Sequence, residues 1–428
     1  MMDIMIKPKV LQGEISVPSS KSLCHRALIS SSLAEGNSKI SKVEFSKDID
    51  ATIGALRTLG VNIKEDRFLG EISVEGSGKI NPISNKINCF ESGSTLRFLI
   101  PLACTTGINI TFTGQGKLVE RPLQEYYKIF EKQSVNYSTN HGKLPLTVNG
   151  KISHGEYKVR GDVSSQFITG LLFALPILKG NSSIIVTTPL ESKAYVDLTI
   201  DMLKKFNIEI DNRDYKKFFI KGNQRYEKSQ YNVEGDFSQG AFWIIAGILG
   251  SNLWCCGMNT DSLQGDKAIL KIIEKMEGKI SIDGKKIRGE KSSTKSEIID
   301  VSQCPDLVPI IAVLAALSQG TTEIINAGRL RFKESDRLKA IATELNKIGG
   351  IVEEKGQGLI IKGTKFFTGG IVESWNDHRI AMAMAIASIK CKNPLIIKNA
   401  DCVNKSYPNF WKDFMKVGGE IVEWHMGK

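Results

Sequence analysis

Lys21, Ser22 and Arg26 lie in the run PSSKSLCHRAL, where a Pro and two Ser precede helix-forming residues, so Ser19 or Ser20 is placed to cap a helix that opens on Lys21. Arg26 falls four residues after Ser22, one turn along the same helical face. A cation, a hydroxyl and a second cation at the positive end of a helix make a site for an anion. Alone, the run also describes a capped surface helix with solvated charges. The arrangement, however, comes back. Further helix starts carry Gly93, Ser94 and Arg97; Ser164, Ser165 and Gln166; Asp306; and Asp377, His378 and Arg379. Loops add Arg121 ahead of Pro122, a charged run from Arg331 to Arg337 that includes Lys333 and Glu334, and Lys405 in NKSYP. Each charge taken singly is a solvated loop charge or a local ion pair. Jointly they fit one shared site for anionic ligands.

The elements that must position these residues repeat. Six Gly- or Ser-introduced segments, each an apolar helix pattern, begin near Lys21, Ser92, Asp162, Asp236, Pro305 and Asn376, at spacings of 71, 70, 74, 69 and 71 residues. Apolar residues recur at i, i+3, i+4 and i+7, as in Leu96, Leu99, Ile100 and Ala103, and several segments are apolar beyond one stripe, which predicts central helices. Ser92, Ser164, Asp236, Asn376 and Asp377 suit the cap positions, and Pro305 suits a first helical position. A more polar helix follows in each unit, near residues 50–59, 123–132, 195–206, 267–277, 337–348 and 409–417, trailed by short strands. Each unit reads helix, strand, helix, strand, strand in an α/β chain, and six units divide into two domains of three. The boundary is expected at Val233–Asp236. The strand Lys9–Val17 is left over and is expected to cross to the second domain, giving domain I as 1–19 with 235–428 and domain II as 20–234.

Composition narrows the partners. The 428 residues are 41% hydrophobic and carry 57 Lys+Arg against 46 Asp+Glu, a net charge of +11, so the natural ligands are anions. Aromatic residues are only 7% and the cations are scattered, without a basic tail or aromatic-basic repeat, which argues against nucleic acid. Residues 1–17 lack a secretory pattern, and the longest apolar runs fall short of the roughly 20 residues that span a bilayer. A soluble, cytoplasmic protein with no membrane partner is expected. The eight Cys include Cys255-Cys256 but no CxxC, so no zinc site or disulfide framework is predicted and the thiols are expected to be buried and inert.

SKSLCHRAL, SGSTLR, VERP, DVSSQF, ESKAYVDLT, CPDLVPI, RFKESDRL, NDHRIAMA and NKSYPNFW occur in that order along nearly the whole chain. In these motifs the sequence resembles the EPSP synthase family of enolpyruvyl transferases. The resemblance implies transfer of the enolpyruvyl group of phosphoenolpyruvate to the 5-hydroxyl of shikimate 3-phosphate, with release of phosphate, in aromatic amino-acid biosynthesis. It implies two similar domains, each of three βαβαββ copies around buried helices, an inside-out barrel, with the active site in the interdomain cleft. It implies no metal, no organic cofactor and a monomer. Shikimate 3-phosphate would be held by Lys21, Ser22, Arg26, Ser164, Ser165, Gln166, Ser192, Tyr195, Asp306 and Lys333. Phosphoenolpyruvate would be held by Lys21, Gly93, Arg121, Gln166, Arg337, Arg379 and Lys405. Asp306 would accept the hydroxyl proton, and Glu334 with Lys21 would serve protonation at the methylene carbon. Glu91 and Arg329 stand where the family often has Asn. The sister family acting on UDP-N-acetylglucosamine carries a reactive Cys before its Arg-Pro motif, and residues 114–122 contain none.

Overall fold

The computed structural model describes residues 2–423 and divides the chain into two compact units: a continuous unit, Ser19–Val233, and a split unit made of the chain up to Pro18 together with that from Glu234 onward. Among the described residues, twelve α-helices alternate in character. α1 (Lys21–Leu33), α3 (Gly93–Ala103), α5 (Ser165–Ala174), α7 (Phe237–Ile248), α9 (Val308–Ala315) and α11 (His378–Ala387) lie in the apolar runs, and α7, α9 and α11 are buried at every residue. A helix apolar on all sides is stable only when enclosed. α2 (Lys47–Thr58), α4 (Gln124–Gln133), α6 (Lys193–Lys205), α8 (Ala268–Lys275), α10 (Arg337–Lys347) and α12 (Phe410–Lys416) bury one face and leave the other wet. Each unit has its own apolar core, one gathered from Leu23 to Val233 and the other from Ile4–Val17 with Phe237–Val417.

Six small sheets among the described residues follow one plan. In the second repeat, Lys86–Asn88 lies parallel to Ile110–Thr113, which pairs antiparallel with Lys143–Asn149, which pairs antiparallel with Asn136–Asn140 at the edge. The other five sheets have the same order, three sheets to a unit; four share the mixture of one parallel and two antiparallel pairings, and in the fifth the strand Ala34–Ser41 pairs in parallel with two short strands, Tyr226–Glu227 and Gln230–Asn232. Burial alternates along strands such as Glu71–Ser77, so each sheet lays one face on the enclosed helices and leaves the other outside. This is a mixed α/β fold with helices within and sheets without.

Two expectations are corrected. The N-terminal segment is two strands, Ile4–Lys7 and Gln12–Ser16, and not one over Lys9–Val17, because Pro8 interrupts the ladder. Ile4–Lys7 completes the last sheet between Leu395–Lys398 and Glu420–Glu423, while Gln12–Ser16 runs parallel to Asn252–Cys256 in the fourth. The helix expected from Pro305 opens instead with a 3-10 turn, Pro305–Leu307, before α9. Pro309 has no N–H to return to the Pro305 carbonyl, and the first turn closes tighter, through Val308.

Helices α3 and α5 touch through a glycine. A Cβ on Gly170 would lie 2.4 Å from both the Arg97 carbonyl oxygen and the Tyr126 hydroxyl, and that hydroxyl donates to the same carbonyl at 2.5 Å. Gly170→Ala is expected to lower stability by about 2 kcal/mol through overpacking. The urea midpoint checks this; an unchanged midpoint would show that the contact relaxes freely.

Candidate active site

In the continuous unit, α1 opens with Ser20 in extended backbone at its N-cap, but no side chain caps it. The expected cap is not made: the Ser19 hydroxyl accepts the Glu44 amide, and the Ser20 hydroxyl is buried without a hydrogen-bond partner. Lys21 Nζ pairs with Asp48 Oδ2 at 2.6 Å, reaching the first turn of α2. Arg26 is buried, and its guanidinium donates to Thr199 Oγ1 at 2.9 Å, the Ser22 carbonyl at 2.7 Å and the Tyr195 carbonyl at 2.8 Å. All three acceptors are neutral, and burial pulls its pKa down to about 10. A buried cation with no countercharge is costly unless an anionic ligand supplies one. The Tyr195 ring lies 6.0 Å from the same guanidinium, and Ser192, at the start of α6, is held buried in left-handed backbone with φ 54°.

The heads of α3 and α5 are tied to each other. Gln166 donates to Ser94 Oγ at 3.0 Å and accepts from Arg97 at 2.8 Å, while Arg97 also reaches the Pro122 carbonyl at 3.1 Å. Ser92 caps α3 through the Thr95 amide and Ser164 caps α5 through the Gln166 amide, as their residue types predict; Ser165 follows, buried, as the first residue of α5. Gly93 leaves room for Arg121: a Cβ would sit 2.6 Å from Arg121 Nη1 and 3.6 Å from Gln166 Oε1 and would displace the guanidinium. The missing side chain is the space the guanidinium occupies.

In the split unit, four cations and three carboxylates form one cluster. Arg337, 1% exposed, donates to Asp306 at 2.8 Å, to Glu334 at 2.6 Å, and to both oxygens of Asp377 at 2.8 and 3.3 Å. Lys333 lies 3.3 Å from Asp306, and Arg379 bonds Asp306 Oδ2 at 3.3 Å and Ser238 Oγ at 2.9 Å. Lys405 Nζ donates to the Asn376 carbonyl at 2.7 Å. Burial drives the Asp306 pKa up, but the charges of Arg379, Lys333 and Arg337 more than reverse this and hold the carboxyl well below its ordinary range. Lys333 is pulled down, first by burial. Asp377, buried, caps α11 through the Arg379 amide; Asn376 does not, because it sits in left-handed backbone with φ 53°.

The structure therefore brings Ser22, Arg26, Ser192 and Tyr195 together at one end of α1 and α6, with Lys21 beside Asp48. Gly93, Arg121 and Gln166 gather between the heads of α3 and α5, and Asp306, Lys333, Glu334, Arg337, Arg379 and Lys405 in the split unit's cluster. Asp48, Arg97, Thr199, Ser238 and Asp377 join these groups as partners. No fixed spacing links them to the residues they hold; Asp48 lies 27 positions beyond Lys21 and Thr199 173 beyond Arg26. Arg329, standing where an Asn is common, donates to the Ser302 carbonyl.

Comparison with known proteins agrees with the fold and shows the family. The family model for EPSP synthase (3-phosphoshikimate 1-carboxyvinyltransferase) matches residues 5–414. Proteins named 3-phosphoshikimate 1-carboxyvinyltransferase are similar from end to end: that of Clostridium kluyveri is 57% identical over 99% of both chains, and that of Clostridium novyi 58% over 100% of both. Solved EPSP synthase structures from Acinetobacter baumannii share the fold at a TM-score of 0.81 and 24% or 23% identity, covering 99% of this chain and 100% of theirs. The chain belongs to the EPSP synthase family.

Because the folded state depresses the Asp306 pKa, its charge adds stability above the unfolded value of about 4, and this is lost as pH falls toward the lower folded value. Asp306→Asn is accordingly expected to lower the melting temperature at pH 7, with the gap to wild type closing below about pH 4. A gap that persisted undiminished in acid would contradict the charge balance described.

Proposed function

We propose that this protein is a 3-phosphoshikimate 1-carboxyvinyltransferase, moving the enolpyruvyl group of phosphoenolpyruvate to the 5-hydroxyl of shikimate 3-phosphate and releasing phosphate. The observation that carries the mechanism is the Arg337 guanidinium holding Asp306 and Glu334 at once. Two carboxyl groups fixed in one cluster can serve opposite proton transfers.

Both substrates carry a phosphate and a carboxylate, and fixed cations must hold them in contact. In this reading Ser22, Arg26, Ser164, Ser165, Ser192 and Lys333 bind shikimate 3-phosphate, with Tyr195 packed on it. Gly93, Arg121, Arg337, Arg379 and Lys405 cradle phosphoenolpyruvate, and Lys21, Gln166 and Asp306 serve both ligands. Glu334, with Lys21, gives a proton to the methylene carbon, the neighbouring carbon becomes electrophilic, and the acceptor oxygen bonds to it as Asp306 takes the hydroxyl proton. The tetrahedral adduct then loses phosphate and the methyl proton, which restores the double bond. A carboxylate held by three cations is a poor base. Anionic substrates entering among Arg379, Lys333 and Arg337 compete for those charges and raise the Asp306 pKa toward a working value.

The enzyme is further proposed to act as a monomer in the cytoplasm, without a metal or organic cofactor. The eight cysteines are all free and seven are buried, which suits a reducing compartment. No described helix is long and apolar enough to cross a membrane.

Phosphate release from phosphoenolpyruvate is expected with shikimate 3-phosphate and not with UDP-N-acetylglucosamine; release with the sugar nucleotide alone, or with neither, would overturn the reading. Arg26→Met, which replaces an uncompensated buried cation by an apolar chain of similar length, is expected to cost little stability. It should raise the KM for shikimate 3-phosphate on the order of 100-fold, the loss of a charge-assisted pair. An unchanged KM would remove Arg26 from the acceptor site.

A further inference from the structure

Trp375 and Asn376 are consecutive residues in left-handed backbone, with φ of 56° and 53°. Asn tolerates that region; a bulky Trp rarely adopts it, and such a residue persists only where its surroundings force it. The forcing contacts are visible. Glu344, fully buried on α10, accepts the Trp375 indole N–H on Oε1 at 2.7 Å and the Glu373 amide on Oε2 at 3.0 Å, while Lys347 Nζ lies 2.9 Å from both oxygens. Ser374 Oγ donates to the Asn399 carbonyl at 3.0 Å and accepts the Asn376 amide at 3.2 Å.

What leaves this turn is the site. The Asn376 carbonyl holds Lys405 Nζ at 2.7 Å, and Asp377, the next residue, holds Arg337 and the Ser335 hydroxyl. Arg337 and Glu344 stand seven residues apart on α10, two turns along one face. One helix thus grips the turn at both ends, Arg337 on Asp377 and Glu344 on Trp375.

We infer that Glu344 and Trp375 are positioning residues for the reaction: through the turn at residues 375–377 they set the places of Lys405 and Arg337 and so govern the binding of the phosphate-bearing three-carbon donor. This rests on the assignment of those two cations to phosphoenolpyruvate made above. A buried Glu–Trp pair serving the fold alone would, when broken, lower the melting temperature without distinguishing the two substrates.

The test uses the full-length protein. Trp375→Phe keeps the ring and removes the N–H, and is expected to raise the KM for phosphoenolpyruvate about tenfold while the KM for shikimate 3-phosphate stays within about twofold. Amide hydrogen exchange across residues 373–377, measured without substrate, should quicken in the same variant. Glu344→Gln, which keeps an acceptor for the indole, should remain within about threefold of wild type, whereas Glu344→Met should match Trp375→Phe. Should Trp375→Phe fail to fold, the Gln and Met pair decides, and equal kinetics in that pair would overturn the inference. Equal rises in both KM values, or a fall in melting temperature with kinetics unchanged, would also overturn it. If the wild-type protein released no phosphate from the substrate pair, the function reading itself would fail; the exchange measurement then judges the clamp alone, with unchanged exchange against it.

Discussion

A helix that is apolar around its whole circumference can present chemistry only at its ends, and the organisation of this protein follows from that constraint. α7, α9 and α11 are buried at every residue, and the polar groups of their repeats collect where each helix begins. Asp236, Ser238, Asp306, Asp377 and Arg379 all stand in or beside such first turns. The positive end of the helix dipole, amides without intrahelical partners, and the edge of the apolar core coincide there. Repeating the unit multiplies these ends and leaves the sheets to cover the outside.

The two groups of site residues solve the problem of buried charge in opposite ways. In the split unit Lys333, Arg337 and Arg379 are paired with carboxylates, Arg337 spending its donors on Asp306, Glu334 and Asp377. Breaking such a cluster strands a charge, so each member fixes the others. In the continuous unit Arg26 is held by a hydroxyl and two carbonyls, which orient the guanidinium without neutralising it. The first arrangement suits proton transfer by acids held in known geometry; the second keeps an electrostatic deficit open for a ligand.

Much of the architecture was legible because its signals are periodic. A spacing near seventy residues and an apolar pattern of period 3.6 located all six enclosed helices, and the caps at Ser92, Ser164, Asp236 and Asp377 follow from residue type. The failures fall where tertiary contacts override local preference. Ser20 occupies a cap position without capping, and Asn376 yields the cap to its neighbour. Asp48 and Thr199 sit on the polar helices far along the chain, where an acid or a hydroxyl is unremarkable until folding sets it beside Lys21 or Arg26. Pairing between distant segments has no local signature, which is why the leftover N-terminal segment was read as one strand and not two.

That segment also dictates when the halves can be completed. Everything the continuous unit needs lies between residues 19 and 233, whereas Ile4–Lys7 must wait for partners at Leu395–Lys398 and Glu420–Glu423. Domains fold as units during synthesis, earliest first. On the ribosome the continuous unit therefore matures before Ile4–Lys7 finds its place, and that strand trails unpaired until the partners near residues 395 and 420 have been made.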